Sequence, residues 1–407
     1  MLLKEFLELD YPEKYNFEFE NKLLLDKKSD TYSRYFIYKA SSDSARNSSY
    51  ENGRSFAEKV IEKYGYLADC DGTLKTNEKD TCMLSRYIYR TLWGWNDVVD
   101  KILKRYGQVS FNEFGIMGPD TMNSAQTIVN GIIKEAYKKC EDEKIINLRK
   151  GHMSANFMLE LFFVFYSNKA LRKWLDDVKG LEDFLDIYHT IGNFILVPSH
   201  FNPMRGIDSE IKDYWDLSLN YLKEKENFYY QGIKINWQNS LFKRYINTFF
   251  LWDYCYIPID KKNEGKYMVK SLLSSNFKDI KYNEMNHTDS HSMYRSEEKE
   301  EISDFLENVN WAIERRGIFM VAMLKITLLG RDEKNNNSCE WNVSPIYKKI
   351  METVFQKEDC YESYAAVFSK IVEILNQEEK RAIKDIVLSA AEKLVCKEDL
   401  ERIQKLF

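Results

Sequence analysis

The sequence predicts a mainly α protein with a minor β component, an α+β chain built on a multi-helix globular core. Three observations carry that reading. Apolar residues recur at helical spacing along most of the chain, hydrophobic residues make up 44% and aromatic residues 14%, and only 6 prolines and 16 glycines interrupt 407 residues. A chain of this length exceeds the usual reach of one hydrophobic core, so the pattern divides it in three. An N-terminal mixed α/β lobe is expected over 1–120, a helical core with a central polar loop over 121–330, and a C-terminal helical segment over 331–407.

Taken in order, the first 80 residues hold two short extended candidates, Phe17–Leu25 and Arg34–Lys39, and a polar loop at 41–53. From Leu84 to Tyr106 the residues Ile88, Leu92, Val99, Ile102 and Leu103 fall at helical spacing, divided by Gly94. Ser124–Lys139 is a capped amphipathic helix, and a buried core helix follows at 155–178. Leu181–His189 predicts another helix, Phe194–Val197 a short apolar strand, and Ser209–Glu224 a helix that buries Ile211, Trp215, Leu219 and Leu222. FYYQGIKINW at 228–237 reads as a small extended element between that helix and one over Ser240–Cys255. The stripe Ile302, Phe305, Leu306, Val309 and Ile313 marks a helix over Ser296–Leu329, interrupted at Gly317. Two charged helices are expected at the C-terminus.

The formal net charge of −5 and a pI near 5.8 argue against whole-surface attraction to nucleic acid or anionic membrane, which leaves room only for a local basic groove. Seven cysteines without a C-x-x-C pair, and an N-terminus without a signal-peptide profile, predict a cytoplasmic protein. The most apolar run, Phe157–Tyr166, is far shorter than the roughly 20 residues a bilayer demands, so no membrane role is expected.

Chemistry-bearing residues concentrate between 186 and 223. Asn193 follows Gly192 at a turn, Asn202 and Arg205 sit in a loop broken by Pro198, Pro203 and Gly206, and Asp213 and Asp216 lie three apart on the next helix. Arg205 offers a fork for phosphate or carboxylate, or pairs with a nearby aspartate; the two aspartates suit magnesium or manganese, or a capping role. His189 flanks the strand as a candidate base. Asp253, set in FFLWDYCY, needs a cationic partner, and Arg205 or Arg244 would serve.

The run TIGNFILVP, then Asn202, Arg205 and Gly206, then DYWDLSL, resembles a family of uncharacterised bacterial proteins, and weaker similarity reaches IERRGIFM at 313–320. A shorter match, Ile191, Gly192, Asn193 and Leu196, is similar to the IGN-x-x-L stretch of HNH-type nuclease domains in some restriction enzymes. The acidic-His-Ile-x-Pro segment that precedes that stretch in those nucleases is absent before His189. The residues themselves are read as a site for nucleic acid or a phosphate-containing ligand, a metal-assisted nuclease or phosphodiesterase-type hydrolase with His189, Asn193, Asp213 and Asp216 catalytic and Asn202, Arg205 and Asp253 on the ligand; the resemblance implies only the defence setting.

Three further readings compete. YLADCDGTL resembles the opening motif of haloacid-dehalogenase-type phosphatases, with Asp69 as nucleophile and Asp71 handling protons. His287, Asp289 and His291 alternate, so an extended backbone would turn all three toward one zinc or manganese ion. The third is a non-catalytic interaction module, in which aromatic-rich helices bury against a protein partner or a second copy and the central loop is a structural clasp.

Overall fold

A computed structural model describes residues 88–89, 91–93, 109–111, 115–123, 178–187, 190–198, 201, 214–224, 227–230, 233–236, 239–259, 265–272, 299–329 and 343–407. These residues are mostly helical with a minor strand component, the mainly α composition that the sequence predicts. His189, Asn202, Arg205, Asp213, Asp69, Asp71, His287, Asp289 and His291 lie outside the described residues, as do the elements expected before residue 80 and the helices expected over 124–139 and 155–178.

The organising element is one helix of 29 residues, Lys299–Thr327, named α4 in the chain-order scheme used below. Its apolar residues Ile302, Phe305, Leu306, Val309, Ile313, Met320 and Leu324 are all buried. The helix runs unbroken through Gly317, contrary to the sequence expectation. A single glycine costs only ~1 kcal/mol of helix propensity, which the packing on either side outweighs.

Two layers close around it. On one side β1 (Val109–Phe111), β2 (Gly115–Thr121) and β3 (Phe194–Pro198) form an antiparallel sheet in the order β1-β2-β3. Every residue of β3 is buried, so the strand reads as a continuous apolar run rather than an alternating one. β2 pairs with β3 from Met117 opposite Pro198 to Thr121 opposite Phe194. Helix α1 (Leu181–Ile187) precedes β3; α2 (Trp215–Glu224) follows it and leads into the hairpin β4 (Asn227–Tyr230) and β5 (Ile233–Asn236). All three sheets among the described residues are antiparallel.

Helix α3 (Asn239–Thr248) ends well short of the expected Cys255. Phe250 adopts φ 60°, the amide of Leu251 reaches back to the carbonyl of Ile246, and that of Phe250 to Asn247, the bond pair of a Schellman stop. A left-handed phenylalanine is uncommon, and its ring explains why it persists. It is fully buried, edge-on to Phe319 and Phe355 at 5.0 Å and tilted against Trp252 at 5.8 Å. The stop lets a short turn at Trp252–Tyr254 present Asp253 and Tyr254 toward α4, and the small ribbon β6 (Cys255–Tyr256) with β7 (Met268–Val269) follows.

On the other side lies the C-terminal segment, where three helices stand in place of the two expected after residue 360: α6 (Tyr364–Glu373), α7 (Gln377–Leu394) and α8 (Lys397–Leu406). They follow α5 (Pro345–Ile350) and a π-turn at Met351–Phe355. Asn376 caps α7 in a reciprocal box with Glu379, a strong start signal. Asn247 joins this segment to the core. Its amide nitrogen donates to the carbonyls of Lys357 and Asp359 at 3.1 and 2.8 Å, and its oxygen accepts from Trp252 Nε1 and Tyr267 Oη at 3.0 Å each. One buried side chain thus makes four hydrogen bonds and is fully satisfied. Among the described residues no helix is long and apolar enough to cross a membrane.

Candidate functional site

The turn that precedes the polar loop is a tight junction. The turn at Ile191–Asn193 lies directly on α4, and a Cβ placed on Gly192 would stand 1.9 Å from the carbonyl oxygen of Ile313 and 3.0 Å from the amide of Gly317. Asn193 is fully buried; its Oδ1 accepts from the amide of Asn123 at 3.0 Å and its Nδ2 donates to the Asn123 carbonyl at 2.9 Å. That exchange imitates a pair of strand bonds and continues the β2–β3 register past its end, where the Met122 amide also donates to the Asn193 carbonyl.

Asp216 is equally buried. Its Oδ1 accepts from its neighbour Leu217 and its Oδ2 from the amide of Leu272, both at 2.9 Å, so it pins α2 to the chain after β7. These contacts engage Asn193 and Asp216 in holding elements together. Asp216→Ala leaves two buried amide donors without their acceptor, at ~1–3 kcal/mol apiece. Thermal and denaturant unfolding should therefore show a loss of about 2 kcal/mol or more, whereas an unchanged midpoint would show that the carboxylate is not structural.

Asp253, expected to pair with Arg205 or Arg244, is held instead by Arg315, whose Nε donates to Oδ2 at 2.8 Å. The early stop of α3 explains the difference, because it turns Asp253 away from the α3 face and toward α4. Burial pushes the Asp253 carboxyl above its ordinary range, against the opposing pull of Arg315 and Lys270. Burial likewise lowers Lys270. The corner thus brings two cationic side chains to one aspartate.

Arg315 is fixed on three sides. Beyond its bond to Asp253, its guanidinium carbon stands 4.4 Å from the centre of the Trp311 ring and 5.1 Å from that of Tyr364. Its two Nη groups make no hydrogen bond among the described residues, and the side chain is 18% exposed. Trp311, one helical turn earlier, is 43% exposed, and only Ile259 among the described residues is a comparably exposed large hydrophobic side chain. A guanidinium fork that is preorganised, unbonded at its tip among the described residues and stacked on a partly exposed indole is suited to an oxyanion carried by a flat ring system.

Behind this corner, at the next residue, Arg316 is fully buried. Its Nε donates to the Phe249 carbonyl and its Nη1 to the carbonyls of Gly192 and Phe194, each at 2.8 Å, and its guanidinium carbon lies 5.9 Å from the Trp93 ring centre. The two arginines therefore divide the work, Arg316 fastening loop to helix while Arg315 faces outward.

No family model, curated protein or solved structure matches this chain. What the corner can do follows from its own chemistry. Among the described residues no group of three His, Cys, Asp or Glu side chains converges as metal ligands would. Sequence reading passed over Arg315, Arg316 and Trp311. The signal was present for Arg316, which continues the buried series Val309, Ile313 and Met320 at heptad spacing and so places a charge where the pattern calls for an apolar side chain.

Proposed function

We propose that the protein binds a nucleotide-type ligand, free or within a single strand, with a phosphate on the Arg315 fork and the base on the open face of Trp311. The observation that carries the reading is the state of Arg315: Nε anchored to Asp253, the ring faces of Trp311 and Tyr364 on either side, and both Nη groups unbonded among the described residues. An arginine held this way loses little side-chain entropy when it takes up a phosphate. Lys270 adds a second positive charge beside the single Asp253 carboxylate, and an exposed indole accepts any base because every base has a π-face. A protein-interaction reading draws no comparable support: the aromatic side chains of α3 and α4, Phe242, Tyr245, Phe249, Phe305 and Phe319, are buried in the protein's own core.

The test is fluorescence anisotropy with a labelled single-stranded oligonucleotide, competed by free nucleotide and by pyrophosphate. Base stacking is worth ~1–3 kcal/mol, so Trp311→Ala should weaken binding by about 5- to 150-fold with little change in melting temperature, since the ring is half outside the core. Arg315→Lys keeps the charge and loses the fork, and should weaken phosphate binding by about tenfold or more. Competition by nucleotide but not pyrophosphate would mark the base as the main determinant. Equal affinity in wild type and both variants, or no binding by folded wild type, would overturn the proposal.

A further inference from the structure

We infer, resting on the nucleotide reading above, that the site prefers guanine and reads it through the carboxylate of Glu307. Helix α4 presents one exposed stripe beside the Arg315 corner. Asp304, Glu307, Trp311 and Glu314 are exposed and follow one another at spacings of three and four, so their side chains rise from a single face of the helix. Neither Glu307 nor Glu314 forms a side-chain hydrogen bond or ion pair among the described residues. Side chains on a helix lean toward its N-terminus and cover the turn before them. Arg315 obeys this rule, its guanidinium carbon 4.4 Å from the ring centre of Trp311 one turn earlier. The same lean directs the indole toward Glu307, one turn earlier again.

Guanidinium, indole and carboxylate thus succeed one another from Arg315 to Glu307, over eight residues or ~12 Å of helix. A nucleotide carries the complementary parts in the same order: a phosphate, a flat ring and a hydrogen-bonding edge at the far side. The chemistry of that edge selects the base. A carboxylate has two oxygens and only accepts. Guanine alone of the common bases sets two donors side by side on its Watson–Crick edge, N1–H and the N2 amino group. Adenine and cytosine set one amino group beside a ring nitrogen that accepts, and uracil or thymine sets one N–H between two carbonyls, so each turns a lone pair toward a carboxylate oxygen. An unpaired carboxylate this close to a phosphate also opposes the anion, and two donors from the base offset that repulsion. Every base still stacks on the indole, so Glu307 sets a preference among them. Asp304 lies a turn further from the indole, and Glu314 stands beside Arg315 at the phosphate end.

The experiment competes the labelled oligonucleotide from the full chain with guanosine, inosine, adenosine, cytidine and uridine monophosphates, in wild type, Glu307→Gln and Glu314→Gln. A two-donor contact on a base edge, at an exposed and therefore screened carboxylate, should let the guanosine nucleotide compete about 5- to 20-fold better than the adenosine, cytidine and uridine nucleotides. Inosine monophosphate keeps N1–H and lacks the amino group, and should fall between. The amide of Glu307→Gln offers a single acceptor, so that variant should bring all five within about twofold of one another at an unchanged melting temperature. Glu314→Gln should keep the preference. Equal competition by all five in wild type would leave the nucleotide reading standing and overturn the guanine inference. So would a preference that survives Glu307→Gln or disappears in Glu314→Gln. Failure of every nucleotide to compete would overturn the nucleotide reading itself, and this inference with it.

Discussion

Gly192→Ala is expected to destabilise the protein by at least about 3 kcal/mol, beyond the usual cost of one added methyl in a packed core. The reason is the identity of the atom it meets. The new Cβ would stand 1.9 Å from the Ile313 carbonyl oxygen and 2.9 Å from its carbon, and both belong to the backbone of α4. A side chain could swing aside; a helix backbone cannot shift without moving the residues that pack on it. The displaced turn would also carry the carbonyls of Gly192 and Phe194 away from Arg316, adding the loss of two charge-assisted bonds. The partner glycine supplies the control. A Cβ on Gly317 would approach no closer than 3.5 Å to Gly192, so Gly317→Ala should be tolerated and should gain some helix propensity. Denaturant unfolding of the two variants checks this directly, and a Gly192→Ala protein within about 1 kcal/mol of wild type would mean that the turn does not lie on the helix as described.

Arg316→Met is the second large effect, expected at about 3–5 kcal/mol of lost stability. Methionine matches much of the volume and relieves the desolvation of a buried charge, a gain that works against the loss. The loss prevails because three carbonyls, those of Gly192, Phe194 and Phe249, depend on this one guanidinium. They come from two separate segments, the turn before β3 and the end of α3, so the side chain fastens both to α4 at once. Arg316→Lys is expected to recover little, because an ammonium on a flexible stem cannot reproduce the fork. The measurement is chemical denaturation together with amide hydrogen exchange at Ile195 and Leu196, where protection should fall first. Full stability in Arg316→Met would show that the carbonyls find other donors.

The fold was legible wherever local pattern decided the outcome. The apolar run of β3, the stripe of α4 and the hairpin of β4 and β5 stand close to where spacing and composition place them. The failures share a cause, which is tertiary contact. Gly317 does not interrupt α4 because packing on both sides holds the helix through it, and α3 stops early because Phe250 finds its place in an aromatic cluster assembled from four distant segments. The candidate site was less legible than the fold. Asn193 and Asp216 stood out as polar residues of suggestive type, and both turn out to bond backbone groups far away in sequence, Asn123 and Leu272. Arg315 was invisible by the same logic: a charged residue on a helix ordinarily faces solvent, and nothing in its spacing shows that Asp253 and two aromatic rings hold it still.

The most direct test of the central claim, that a nucleotide unit is held with its phosphate on Arg315 and its base on Trp311, is to locate the ligand on the protein. A single-stranded oligonucleotide carrying bromodeoxyuridine would be bound, irradiated and digested with protease, and the crosslinked peptide identified by mass spectrometry. The account predicts the principal adduct on Trp311, reduced strongly in Arg315→Lys. An adduct concentrated elsewhere, with Trp311 unmodified while the oligonucleotide remains bound, would contradict it.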